Sequence, residues 1–131
     1  MHPFPRRFAA MILVTAMIGL SACAASASGP AQAVQGYLQA VVAKDSVKAS
    51  SFSCAAWESS AQLEVDSFAA VTAKLDSLAC KESGKAGSDT LVSCTGKIIT
   101  TYNNENQEID LTGRVYKVVQ ENGDWRMCGY Q

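Results

Sequence analysis

Apolar side chains dominate a 13-residue stretch from Phe8 to Leu20, just behind the cationic pair Arg6-Arg7. The stretch is too short to span a bilayer as a helix and has the shape of a leader's hydrophobic region. Ala24 to Gly29 is small and polar and reads as linker. Pro30 suits a first helical position, with Ser28 or Gly29 as cap. Val34, Tyr37, Leu38, Val41 and Val42 then fall three and four apart, which predicts a helix over 30–43. Asp45 is placed to cap a short second turn holding Val47 and Phe52. Trp57, Ala61, Val65 and Phe68 keep helical spacing, so a second helix is expected from Cys54 to about Ser67, with Glu58, Glu64 and Asp66 on its other faces.

The period changes near Val71, and four strands are predicted over 71–82, 90–102, 107–120 and 124–130. Gly84 to Asp89 and Asn103 to Asn106 supply the first two turns, and Asn122-Gly123 is a strong type I′ hairpin signal. Centring the hairpins on these turns sets Lys117 opposite Cys128, Val115 opposite Tyr130, Cys94 opposite Val115 and Gly96 opposite Gly113. One face then carries Val92, Cys94, Ile98, Ile109, Leu111, Val115, Val119, Cys128 and Tyr130 and is expected to be buried. The other carries Thr95, Lys97, Thr101, Glu108, Asp110, Thr112 and Arg114 and is expected to be wet. A bulge would shift part of this register by one residue. Gly96 beside Gly113 would let the sheet curve sharply.

Five cysteines complicate this picture, because an odd number in an exported protein needs an explanation. Setting Cys23 aside leaves Cys54, Cys80, Cys94 and Cys128, an even set suited to two disulfides in an oxidising compartment. No C-x-x-C pair exists for metal or redox work. Cys94 and Cys128 would point the same way from strands separated by a third, roughly 10 Å apart, beyond disulfide reach. Cys80–Cys94 with Cys54–Cys128 is therefore the preferred one of three connectivities.

Leu20-Ser21-Ala22-Cys23 resembles the lipobox of a bacterial lipoprotein. The resemblance implies a signal peptide over 1–22 and a mature N-terminal Cys23 carrying a diacylglyceryl thioether, and often an N-acyl chain such as palmitate. Two or more chains anchor stably, whereas one does not. The competing reading is an ordinary signal peptide cut after Ala25 or Ala27. Arg6-Arg7 fits a plain cationic region better than a twin-arginine signal. A lipidated Cys23 and linker over 23–29 would reach about 20 Å and hold the domain, residues 30–131, close to the membrane.

Charge and chemistry then narrow the function. The full chain has net charge −1. Without Arg6 and Arg7, 9 basic side chains face 12 acidic ones, a net of −3, with no Lys/Arg cluster. That argues against nucleic acid as a partner and against a polybasic membrane patch. The sole histidine, His2, lies in the leader, so the mature part lacks imidazole bases, Ser–His or Cys–His nucleophiles and the commonest metal ligand.

Two helices and then a four-stranded meander make a recognisable order, with Val34, Tyr37, Leu38 and Val41 on the first helix and a closing run from Val118 through Asn122-Gly123-Asp124-Trp125-Arg126-Met127 as its points of resemblance. The segment from Pro30 to Tyr130 resembles small cystatin-like lipoprotein domains of the nuclear-transport-factor-2-like superfamily. The resemblance implies an α+β fold: N-terminal helices packed on a curved four-stranded antiparallel meander, sometimes leaving a conical cavity. Some members are isomerases or dehydratases and others are binding modules. No catalytic residue carries over onto this chain.

Three further groupings were weighed. Asn104, Asn106, Glu108 and Asp110 alternate oxygen ligands, but the loop lacks the glycine and glutamate of an EF-hand, so a solvated hairpin is preferred to calcium. Glu58, Glu64 and Asp66 suggest acid–base work less well than a wet helix face. Tyr37, Trp57, Tyr102 and Tyr130 suit core packing better than a pocket. The sharper anomaly is Ile99, Tyr116, Val118, Trp125 and Met127, which this register puts together on the wet face. An apolar patch there would be a partner or dimer surface.

The expected function is a lipid-anchored extracytoplasmic binding or assembly domain on the bacterial cell membrane, without catalytic activity, cofactor or metal. Its ligand would be a protein or small molecule not specified by sequence, and it would be a monomer or weak homodimer. The alternatives are a small-molecule isomerase or dehydratase using a cone pocket, and a structural envelope protein.

Overall fold

A computed structural model describes residues 27–131. The signal peptide expected over 1–22, Cys23 and the first part of the linker lie outside the described residues. Among the described residues, no helix is long and apolar enough to cross a membrane. The chain folds as α+β, helices first and then an antiparallel sheet of five strands that does not close.

Helix α1 is Pro30–Val42, opened by the proline after an extended Gly29. Its predicted stripe is its buried face: Val34, Tyr37, Leu38 and Val41 are each 2 % exposed or less. Burying each such side chain is worth about 1.5–3 kcal/mol. Gly36 lies on the same helix against the Phe52 ring, where an added Cβ would come within 2.4 Å of the ring carbon Cζ. Glycine is therefore what lets the next segment press onto α1. Asp45 caps α2, Ser46–Ser51, by accepting from the Lys48 N–H at 2.9 Å. The second long helix begins as a 3₁₀ turn, Ala55–Trp57, and continues as α3, Glu58–Ser67.

The sheet comprises β1 Thr72–Ala86, β2 Asp89–Tyr102, β3 Glu105–Asp110, β4 Val115–Glu121 and β5 Asp124–Tyr130. The expected third strand is thus two strands. Both lie along the same edge of β2, β3 on its second half and β4 on its first, and the order continues β1-β2-β4-β5. The break is a turn at 111–114. There the Thr112 N–H donates to Asp110 Oδ1 at 2.8 Å, and Gly113 takes a positive φ of 88°. β1 also runs further than expected, through Gly84 to a tight turn at Gly87-Ser88.

A bulge faces this break. Asp76 pairs with Lys97 and Ala79 with Thr95, so Ser77 and Leu78 together oppose Gly96. Gly96 has φ +99°, and a Cβ there would lie 2.6 Å from the Ser77 carbonyl oxygen. Its own carbonyl accepts from the Leu111 N–H at 3.0 Å. Gly96 and Gly113 both serve the bend, but they do not pair as expected.

The bend costs one residue of register. Ser93, not Cys94, stands opposite Val115. Because strand side chains alternate, a one-residue slip turns the whole of β4 over. Tyr116 and Val118 therefore point into the core at 0 % exposure, while Val115 and Val119 are half-buried on the outer face. The Asn122-Gly123 turn does set Val118 opposite Met127, as expected of that hairpin. A second bulge then puts Tyr130 opposite Tyr116 instead of Val115. The predicted partner patch dissolves as a result. Tyr116, Val118 and Met127 are core residues, Trp125 packs against that core, and Ile99 is half-buried between its neighbours Lys74 and Glu108.

Two disulfides fasten the layers. Cys80–Cys94 joins directly opposed residues of β1 and β2, with Cα atoms 4.1 Å apart. Cys54–Cys128 ties the helical half to β5, with Cα atoms 5.2 Å apart. Beside it, Phe52–Cys54 runs parallel to β5. The Met127 N–H donates to the Phe52 carbonyl at 2.7 Å, and the Cys54 N–H to the Met127 carbonyl at 2.9 Å. The Arg126 guanidinium donates to the Ser51 carbonyl, and the Glu121 carboxylate accepts from the Ala55 N–H at 3.2 Å. The outer edge of the last strand is thereby covered.

Candidate functional site

Helices α1 and α3 lie over the inner face of the sheet, and most of the space between is filled. Tyr37, Leu111, Tyr116, Met127, Val34, Val41, Val92, Val118 and Thr90 are fully buried. What remains open is a small mouth of about 170 Å³. Leu38 and Val41 of α1, Phe68 after α3, Ile98 of β2 and Ile109 of β3 form its apolar wall. Glu64, Ser67, Arg114 and Tyr130 supply the polar groups.

Glu64 reaches the mouth because it belongs to the inward stripe of α3. Ala61, Glu64, Val65 and Phe68 stand three and four apart, and Ala61 and Val65 are buried. Its carboxylate Oε2 accepts from the Tyr37 hydroxyl at 2.8 Å, and that hydroxyl accepts from Trp57 Nε1 at 3.3 Å. The bonds run in one direction, indole to phenol to carboxylate. Tyr130 packs edge-on against Trp57 and Tyr116, with ring centroids 5.7 and 5.8 Å apart. The Arg114 guanidinium sits 4.5 Å above the Tyr130 ring centroid, a cation–π contact. Arg114 was expected on the wet face and is found here because the 111–114 turn re-aims it.

Burial pushes the Tyr37 phenol far above its ordinary range; the Trp57 N–H opposes this and the Glu64 charge adds to it. Burial also raises Tyr130, and the nearby Glu64 carboxylate adds to this. Burial raises Tyr116, with nearby Arg114 opposing. The Tyr116 hydroxyl is fully buried beside Arg114 yet has no hydrogen bond of good geometry. Phenols held neutral in this way are hydrogen-bond donors at neutral pH, not bases.

The other sequence candidates do not join this cluster. Tyr102 is 60 % exposed and lies with Val71, Thr100, Glu105 and Gln107. Glu58 and Asp66 stand exposed on the outer side of α3. The alternating oxygens along β3 are engaged separately. Asn106 accepts from Thr101 at 2.7 Å, Glu108 pairs with Lys97 at 2.7 Å, and Asp110 accepts from the Thr112 N–H. That last bond holds the Asp110 carboxyl below its usual range, and Glu108 holds the Lys97 ammonium above its own. Among the described residues no three His, Cys, Asp or Glu side chains converge on a metal position. A larger hollow of about 550 Å³ lies over the β1 bulge, but it is open to solvent and lined by these already paired groups.

Arg114 and Tyr116 escaped the sequence reading because the one-residue slip was invisible there. Glu64 did not have to escape it, since its spacing from Ala61 and Phe68 already marks the inner stripe. No family model, curated protein or solved structure matches this chain.

Proposed function

We propose that this chain is a lipid-anchored, extracytoplasmic binding domain whose ligand enters the mouth between the helices and the sheet, and that it performs no chemistry there. The scaffold in this reading is a cystatin-like cone of the nuclear-transport-factor-2-like kind, nearly filled by its own tyrosines. Cys23 carries the lipid and holds the domain at the membrane. Two disulfides among the remaining four cysteines fit an oxidising compartment.

The observation that carries the reading is the Trp57–Tyr37–Glu64 relay at the rim of an apolar hollow. It orients a carboxylate at the rim of that hollow. Fixed polar groups over an apolar wall are the ordinary composition of a small-molecule site. The mature part offers no histidine to act as base, and the three phenols around the carboxylate are held protonated.

Incubating the mature protein with a metabolite mixture, then analysing retained and free compounds by mass spectrometry, tests this. The expected outcome is retention of one compound, chemically unchanged, that Glu64→Ala abolishes. A conversion product would favour the isomerase or dehydratase reading instead. Retention of nothing by the wild-type protein would remove the small-molecule site.

A further inference from the structure

Resting on that reading, we propose that the mouth takes a free apolar α-amino acid. Glu64 and Arg114 both line the hollow. They do not pair with each other: the ion pairs among the described residues are Lys97–Glu108 and Arg126–Asp124. Opposite charges on one small hollow that fail to meet leave room for a head carrying both complementary charges. An ammonium fits Glu64, and a carboxylate fits Arg114.

Each charge is already oriented. Tyr37 holds Glu64 Oε2 at 2.8 Å. Arg114 lays its guanidinium over the Tyr130 ring. A stacked guanidinium uses its face and keeps its N–H edge for a planar, two-point carboxylate contact.

Size and lining select the rest of the ligand. The hollow of about 170 Å³ compares with an apolar cavity of about 150 Å³ that holds benzene. It falls below the roughly 300 Å³ at which sites for drug-sized ligands begin. Leu38, Val41 and Ile98, each at most 3 % exposed, floor the hollow, and the half-buried Phe68 and Ile109 side chains flank it, none carrying a polar side-chain atom. A branched aliphatic residue such as leucine matches in volume and in polarity. A simple carboxylate would leave Glu64 unanswered and repelling it, and a simple amine would leave Arg114 so.

Calorimetry on the full mature chain in detergent, with L-leucine, 3-methylbutanoate and 3-methylbutylamine as probes, tests the assignment. Leucine is expected to bind at least tenfold more tightly than either single-charge analogue. Glu64→Gln is expected to weaken leucine and the amine tenfold or more while tightening the acid, and Arg114→Gln to weaken leucine and the acid tenfold or more while tightening the amine. Thermal melts of both variants establish that they fold, and for a variant that does not, the ranking of leucine against the two single-charge analogues on the wild-type protein supplies the discrimination. Leucine binding no better than the two analogues overturns the proposal. If another metabolite moves resonances of the mouth and no amino acid does, the ligand class is wrong and the binding site stands. If nothing moves them, both fail.

Discussion

The Tyr37 hydroxyl crosses from α1 to α3 to donate to Glu64 Oε2 at 2.8 Å. Tyr37 is itself fully buried, so this bond links the centre of the core to the rim of the mouth. Tyr37→Phe keeps the ring and removes the hydroxyl, leaving Trp57 Nε1 and Glu64 without their shared partner. A loss of about 1–3 kcal/mol is expected, read as a lower denaturant midpoint with an unchanged slope. An unchanged midpoint would mean that the relay is incidental to the fold.

The same burial predicts an alkaline limit. Tyr37, Tyr116 and Tyr130 all have folded-state pKa values raised above the ordinary 10.0. The unfolded chain therefore releases protons near pH 10 that the folded chain retains. Their contribution is fully present below about pH 10 and is lost as pH rises beyond it. Phenolate absorbance and circular dichroism followed together should show these phenols ionising with unfolding. Complete ionisation near pH 10 in a still-folded protein would contradict the burial.

The disulfides should differ in weight. Closing the 15-residue loop of Cys80–Cys94 is worth about 3 kcal/mol in the chain-entropy model, and the longer loop of Cys54–Cys128 about 4 kcal/mol. Removing Cys54–Cys128 also frees the segment that covers β5. Paired Cys→Ala variants should therefore rank with Cys54/Cys128 as the more damaging, and non-reducing peptide maps should show these two links. A Cys54–Cys80 peptide would contradict the strand order.

In the proposed reading, anchoring is separable from folding. Cys23→Ser is expected to move the protein from the membrane to the soluble fraction with its thermal stability unchanged. Retention on the membrane would place the anchor elsewhere.

Much of this architecture was legible as pattern. The stripe of Val34, Tyr37, Leu38 and Val41 needed only a period, and Asn122-Gly123 fixed the last hairpin because both residues take positive φ. Excluding a Cys94–Cys128 link needed only the order of strands, not their exact register. Most of the failures trace to one bend. A bend built from Gly96, Ser77 and the Asp110–Arg114 turn inserts one residue between β3 and β4, and no periodicity announces such an insertion. It reversed Tyr116 and Val118, erased the apparent partner patch and carried Arg114 to the mouth. The candidate site was thus only partly legible: Tyr37 by its helical stripe, whereas Glu64 was expected on the wet face of its helix, and Arg114 and Tyr116 emerge only once the bend is seen.

The central claim is that the mouth between α1, α3 and the sheet receives a ligand. Backbone chemical-shift mapping of ¹⁵N-labelled mature protein with the retained compound tests it most directly. The account predicts shifts centred on Leu38, Glu64, Arg114 and Tyr130, with the hollow over the β1 bulge unmoved. Shifts centred on Asp76, Lys97 and Glu108 instead, with the mouth silent, would contradict it.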